Sequence, residues 1–168
     1  MTIGAEDKNI DKLLSGEPLT YTELLLIAFM PNLEKHVIDI ILSDQVKIDE
    51  NSDDGPDFRR TLYMACLQQV NASEAQIETI LEHALSDGEP FDVLSYWAEV
   101  IELVVLSKQL SEVNVLRVAE EIALFDYEED DEIPPEMQCS LLTSLLASYS
   151  LPLNIQERVV ERLSTLKE

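Results

Sequence analysis

Glycine is scarce in this 168-residue chain: there are four, Gly4, Gly16, Gly55 and Gly88, and no two lie close together. Loops that cradle a phosphate or a dinucleotide need closely spaced glycines for backbone approach, so neither is expected. No G-x-S-x-G elbow is present to hold a serine nucleophile. Positive charge is short as well. Eleven Lys and Arg stand against thirty-four Asp and Glu, a formal charge of −23. Contacts to a phosphate backbone are made by Lys and Arg, so direct nucleic-acid binding is not expected, nor is docking on an anionic membrane. Long apolar runs are missing. LLLIAFM at 24–30 is too short to cross a bilayer. The start, MTIGAEDKNIDKLL, has neither the basic residues nor the apolar stretch of a signal peptide. A soluble, cytoplasmic protein is the expectation, and two cysteines suit a compartment where thiols stay reduced.

What the chain does have is helical spacing. Ile155, Val159, Leu163 and Leu166 step by four, four and three, and Met137, Leu141, Leu145 and Tyr149 step by four. Phe58, Leu62 and Cys66 repeat the pattern, as do Ile77, Leu81 and Leu85. No stretch alternates polar and apolar residues long enough to make a strand. The fold class is all-α. With 46% apolar residues the chain can bury a continuous core, and one domain spanning 1–168 is expected. Segment 91–107, FDVLSYWAEVIELVVLS, is apolar on nearly every face and belongs in the middle of the structure, with Tyr96 and Trp97 packed inside.

Helix ends recur. Candidate N-caps at Asn32, Ser73, Ser111 and Asn154 are 41, 38 and 43 residues apart. Ser73 with Gln76, and Asn154 with Glu157, have capping-box spacing. The helices they open close at IILSD (40–44), HALSD (83–87) and IALFD (122–126). Each is preceded by another helix, near 20–30, 57–70, 91–107 and 135–149. Four helix–turn–helix units follow, at about 20–44, 56–87, 90–126 and 134–168, with a capping helix at about 5–15, eight or nine helices in all. In period and in recurring helix ends the chain resembles HEAT-like α-solenoid repeat proteins. It lacks the Pro and Asp/Arg positions that usually mark a HEAT unit. The resemblance implies stacked hairpins; an irregular helical bundle is the alternative.

Side chains that carry chemistry are few. Glu34 precedes His36 by two residues and Glu82 adjoins His83; on a helix neither offset aims both groups the same way, so both histidines read as surface residues. Cys66 and Cys139 fall in the first helices of units two and four, too far apart to bridge, and read as small core residues. DENSDDGPDFRR at 49–60 suggests an EF-hand, but Asp54 stands at position six, Gly55 at seven and Arg60 at twelve, where Gly and Glu are needed. No metal site, cofactor or catalytic residue is assigned.

The acidic residues are the informative feature. Segments 44–57, 87–92 and 126–136 hold sixteen of the thirty-four carboxylates, with Lys47 their only basic residue. In a solenoid such connectors align along one edge, which predicts an acidic ridge. Glu74, Glu78 and Glu82 add a like-charged stripe with no compensating lysine between them. The expected function is a non-enzymatic protein–protein interaction module for a basic protein partner, as an immunity or antitoxin-type inhibitor or as an adaptor or chaperone. The expected contact residues are Glu74, Glu78, Glu82, Asp49, Glu50, Asp53, Asp54, Asp87, Glu89, Glu128, Glu129, Asp130, Asp131 and Glu132. A nucleic-acid mimic that occupies a DNA- or RNA-binding protein is one alternative, and a carboxylate-based or divalent-cation-dependent enzyme is another.

Overall fold

The computed structural model describes residues 4–43, 45–53, 57–127 and 133–167. Among them the protein is all-helical. Nine α-helices occur: α1 (Ala5–Ser15), α2 (Tyr21–Ala28), α3 (Lys35–Leu42), α4 (Phe58–Leu67), α5 (Glu74–Leu85), α6 (Pro90–Leu106), α7 (Glu112–Arg117), α8 (Pro135–Ser148) and α9 (Leu153–Leu166). α7 runs straight into a π-helical segment, Val118–Ala123. The one extended pairing described is an isolated parallel bridge between Leu19 and Ile48. Two compact units are present, Met1–Thr79 and Ile80–Glu168, the boundary falling inside α5.

In the first unit α1 stops at Gly16, whose φ of 75° is the left-handed conformation glycine adopts without penalty. α2 opens on a capping box that the sequence reading did not find. The Glu23 N–H donates to Thr20 Oγ1 (3.1 Å) and the Thr20 N–H to Glu23 Oε2 (2.9 Å). Lys12 of α1 donates to the other Glu23 oxygen at 3.0 Å. The Thr20 amide, and then Lys12, hold the Glu23 carboxyl below the usual carboxylate range. Leu24, Ile27, Val37, Ile38, Ile41, Leu62 and Cys66 form the core, each close to fully buried.

Asn32 is not the cap of α3. It sits in the turn at a φ of 57°, which asparagine tolerates, and α3 begins after Glu34. The reason is Leu33: its side chain is buried and its N–H donates to Gln69 Oε1 (3.1 Å), so the helix starts two residues later. Gln69 also donates from Nε2 to the carbonyls of Ala28 (2.8 Å) and Met30 (2.7 Å). Asn71 Nδ2 donates to the Leu33 carbonyl at 2.9 Å. Two neighbouring turns, 28–33 and 68–73, are thereby locked together. Ser73 does cap α5 in the expected reciprocal box with Gln76, with bonds of 3.2 and 2.9 Å.

In the second unit α6 buries Val93, Leu94, Trp97, Val100, Ile101, Val104 and Val105 and packs against α8 and the π segment. That agrees with a central place for 91–107. Two interleaved i, i+3/i+4 stripes explain it, since together they cover more than one side of the helix. Trp97 is buried in edge-to-face contact with Tyr96, ring centroids 4.8 Å apart. Tyr96 itself is half-buried. Ser111 caps α7 weakly, accepting from the Asn114 N–H at 3.4 Å.

The π segment has a physical cause in its surroundings. The Leu124 N–H reaches back five residues to the Ala119 carbonyl (2.7 Å). The carbonyls left at its end are taken by neighbours: Gln138 Nε2, on α8, donates to Ala123 (2.9 Å) and Phe125 (3.0 Å), and the Tyr127 hydroxyl donates to Ile122 (2.8 Å). Asn154, expected to cap α9, lies inside the helix, and the cap is Pro152. Proline brings its own φ near −60° and needs no N–H partner, so the helix starts at once and the Asn154–Glu157 box does not form.

Taking the helices in chain-order pairs (α2–α3, α4–α5, α6–α7 and α8–α9) as hairpins, most side-chain bonds between neighbouring pairs within a unit join residues 35 to 42 apart, the exceptions being those of Gln138 to Ala123 and Phe125, 15 and 13 apart. The hydroxyl of Tyr149, the residue that follows α8, accepts from the Leu110 N–H in the α6–α7 turn at 3.1 Å. Gln69, just past the end of α4, does the equivalent work on the α2–α3 turn.

Candidate functional site: acidic connectors and helix faces

Taking the helices as chain-order pairs divides the loops into two kinds. Turns inside a hairpin, 29–34, 68–73, 107–111 and 149–152, carry one acidic residue, Glu34, and one basic residue, Lys108. Connectors between hairpins, 43–57, 86–89 and 124–134, carry fourteen acidic residues and only Lys47 of opposite sign.

In the first unit the connector is held down. The Leu19 N–H donates to the Lys47 carbonyl (2.9 Å), the Asp49 N–H to the Leu19 carbonyl (2.8 Å) and the Tyr21 N–H to Ser52 Oγ (2.9 Å). The Asp49 carboxylate turns inward on its own loop, accepting from the Asn51 N–H (2.9 Å) and Asn51 Nδ2 (3.3 Å). Asp49 is half-buried; Glu50 and Asp53 are exposed. Glu74 is exposed at the start of α5 and Glu78 is half-buried one turn on. Asp39, which the sequence reading missed, also faces outward on α3, its carboxylate accepting from the Gln76 amide at 2.6 Å. Its partner lies 37 residues away, so no local pattern marks it.

In the second unit Glu82 and Asp87 line one open depression together with His83 and Ser86. The Glu74–Glu78–Glu82 stripe, expected to lack a compensating cation, has one at Glu82. Arg117 of α7 donates from Nη1 to Glu82 Oε2 at 2.8 Å, and its Nε lies 3.9 Å from Glu121 Oε1. That hydrogen bond holds the Glu82 carboxyl below the usual range and raises the guanidinium. The correction comes from tertiary contact: the cation sits 35 residues along the chain. Asp87 has a structural duty, accepting from the Trp97 indole N–H at 2.7 Å. The Glu89 N–H donates to the Asp92 carboxylate at 3.3 Å at the start of α6. Tyr127, at the start of the next connector, approaches the beginning of α6, its hydroxyl 3.4 Å from the Pro90 carbonyl. Asp54, Glu128, Glu129, Asp130, Asp131 and Glu132 lie outside the described residues.

Two further expectations change. His36 does meet Glu34, with Nδ1 3.3 Å from Oε2, because Glu34 stands just outside the helix and escapes the helical offset. Cys66 is fully buried, its thiol pushed up to about 12 by burial, but Cys139 is half-buried on α8. Among the described residues no group of three or more His, Cys, Asp or Glu has a metal-binding arrangement, and no helix is long and apolar enough to cross a membrane. Compared with known proteins, the chain matches no protein-family model, no curated protein and no solved structure at a significant level.

Proposed function

We propose that this chain is a non-enzymatic interaction module that binds a basic protein partner through its acidic connectors and the Glu74–Glu78–Glu82 helix face. The observation that carries the reading is the sorting of charge by loop type, fourteen acidic residues between hairpins against one within them. Solubility alone gives no reason for that sorting. Crowding like charges into one class of loop costs stability through mutual repulsion, and a cationic partner relieves it on binding. Complementary charge also speeds encounter and selects among partners. An inhibitor that masks a cationic toxin and an adaptor or chaperone for a basic client both have this chemistry.

The test is a titration with a panel of basic proteins, from about 50 to about 500 mM salt, a range over which exposed charges become screened. Affinity is expected to fall at least tenfold, roughly the loss of one or two neutralised contacts. Replacing Glu50, Asp53 and Glu128–Glu132 by Asn or Gln is expected to slow association. Binding that ignores both salt and these replacements refutes the reading.

A further inference from the structure

Opposite in character to the acidic connectors is the pair of locked turns in the first unit. Residues 28–33 and 68–73 form twelve positions without a single charge in a chain that is 27% charged. Between them lies a groove of about 210 Å³, lined by Ala28, Phe29, Met30, Ala65, Gln69 and Val70 among others. That is the space of roughly seven waters, room for one long side chain. Phe29 is 56% exposed and Val70 82%, and both lie on the one groove. The turn beneath is rigid, because the Gln69 amide holds three backbone groups of 28–33 at once. An apolar surface preorganised in this way is the kind that binds.

The surroundings fix the sign of the occupant. α2 and α4 both end at the groove, and neither has a basic residue in its last turn, so two negative helix ends stand unneutralised. Glu34 and Glu74, both exposed, open the helices that leave these turns. A second copy of the chain carries the same charge of −23 and is repelled. We infer that this groove receives a basic amphipathic segment of the partner, an apolar side chain laid on Phe29 and Val70 with the segment's positive groups toward Glu34 and Glu74. The inference rests on the proposed cationic partner and adds the place where that partner anchors.

Three peptides of about 18 residues, five helical turns, separate the possibilities: an amphipathic Leu/Lys helix, an oligo-lysine of equal charge, and a Leu/Glu helix. Val70→Lys places a repelling charge in the groove at an exposed turn position. Val113→Lys, on α7 at 69% exposure, makes the same change of charge elsewhere. The expected result is Leu/Lys binding about tenfold tighter than oligo-lysine, the worth of one buried apolar side chain. V70K is expected to remove that advantage with unchanged helix content, V113K to leave it. Equal loss from both variants, equal binding of Leu/Lys and oligo-lysine, or preference for Leu/Glu overturns the groove. Failure of oligo-lysine itself to bind at low salt overturns the cationic-partner reading instead, and the groove inference with it.

Discussion

Gln69→Leu removes the amide that joins the second hairpin to the turn of the first and leaves an apolar side chain one atom shorter in its place. Three backbone groups lose their partner: the Leu33 N–H and the carbonyls of Ala28 and Met30. A typical intramolecular hydrogen bond contributes about 1 kcal/mol net, and a buried group left without a partner costs about 1–3 kcal/mol. Leu33 and Ala28 are buried but the groove admits water near Met30, so the sum is set at about 2–4 kcal/mol rather than the full penalty three times over. That is a large share of the roughly 5–15 kcal/mol that holds an ordinary domain. Urea unfolding followed by far-UV circular dichroism reads the loss as a lower midpoint at similar slope. Gln68→Leu serves as the comparison, since Gln68 is an exposed neighbour and such changes stay within about 0.5 kcal/mol. A Gln69→Leu variant no less stable than Gln68→Leu would show that the turn is held by packing alone.

Three further outcomes are expected. In the native protein a thiol reagent should label Cys139 and spare Cys66, whose burial suppresses thiolate formation; two labelled thiols before unfolding would contradict the core placement. Arg117→Gln should raise the Glu82 titration seen by carboxyl-carbon NMR. Because the folded Glu82 carboxyl lies below its unfolded value of about 4.3, the pair's contribution is present above that pH and is lost as pH falls through the folded value. Being largely exposed, it is worth at most about 1 kcal/mol after solvent screening, and a wild-type advantage that persists at pH 2 would be wrong in sign. Thr20→Ala, breaking the reciprocal cap of α2, should cost about 1 kcal/mol by the same urea assay, and a cost near zero would mean the box is not formed in solution.

Much of the helical frame was legible in the sequence because apolar spacing reports burial directly. The bounds read for the paired helices fall within a few residues of those observed, and α6 is buried as its all-round apolar sequence demands. Caps were legible only where the capping side chain acts locally. Ser73 and Ser111 cap as read; Asn32 and Asn154 do not, because a buried Leu33 and a preceding Pro152 decide where those helices start. The bonds that order each unit were not legible, since Gln69, Gln76, Gln138 and Tyr149 meet backbone or carboxylate groups 13 to 41 residues away. A glutamine in a polar turn gives no local sign of that duty. Arg117 is the same case for the acidic face: only folding brings its guanidinium to Glu82.

The similar reach of most bonds between neighbouring hairpins, 35 to 42 residues, bears on how the chain acquires its structure. Every such closure draws together a loop of nearly the same moderate length, and doubling a loop would add only about 0.6 kcal/mol of entropy. No one closure is therefore a bottleneck for the others within a unit. Within a unit, growth can start at either hairpin and spread to the other, and a chain emerging residue by residue meets each partner soon after it appears.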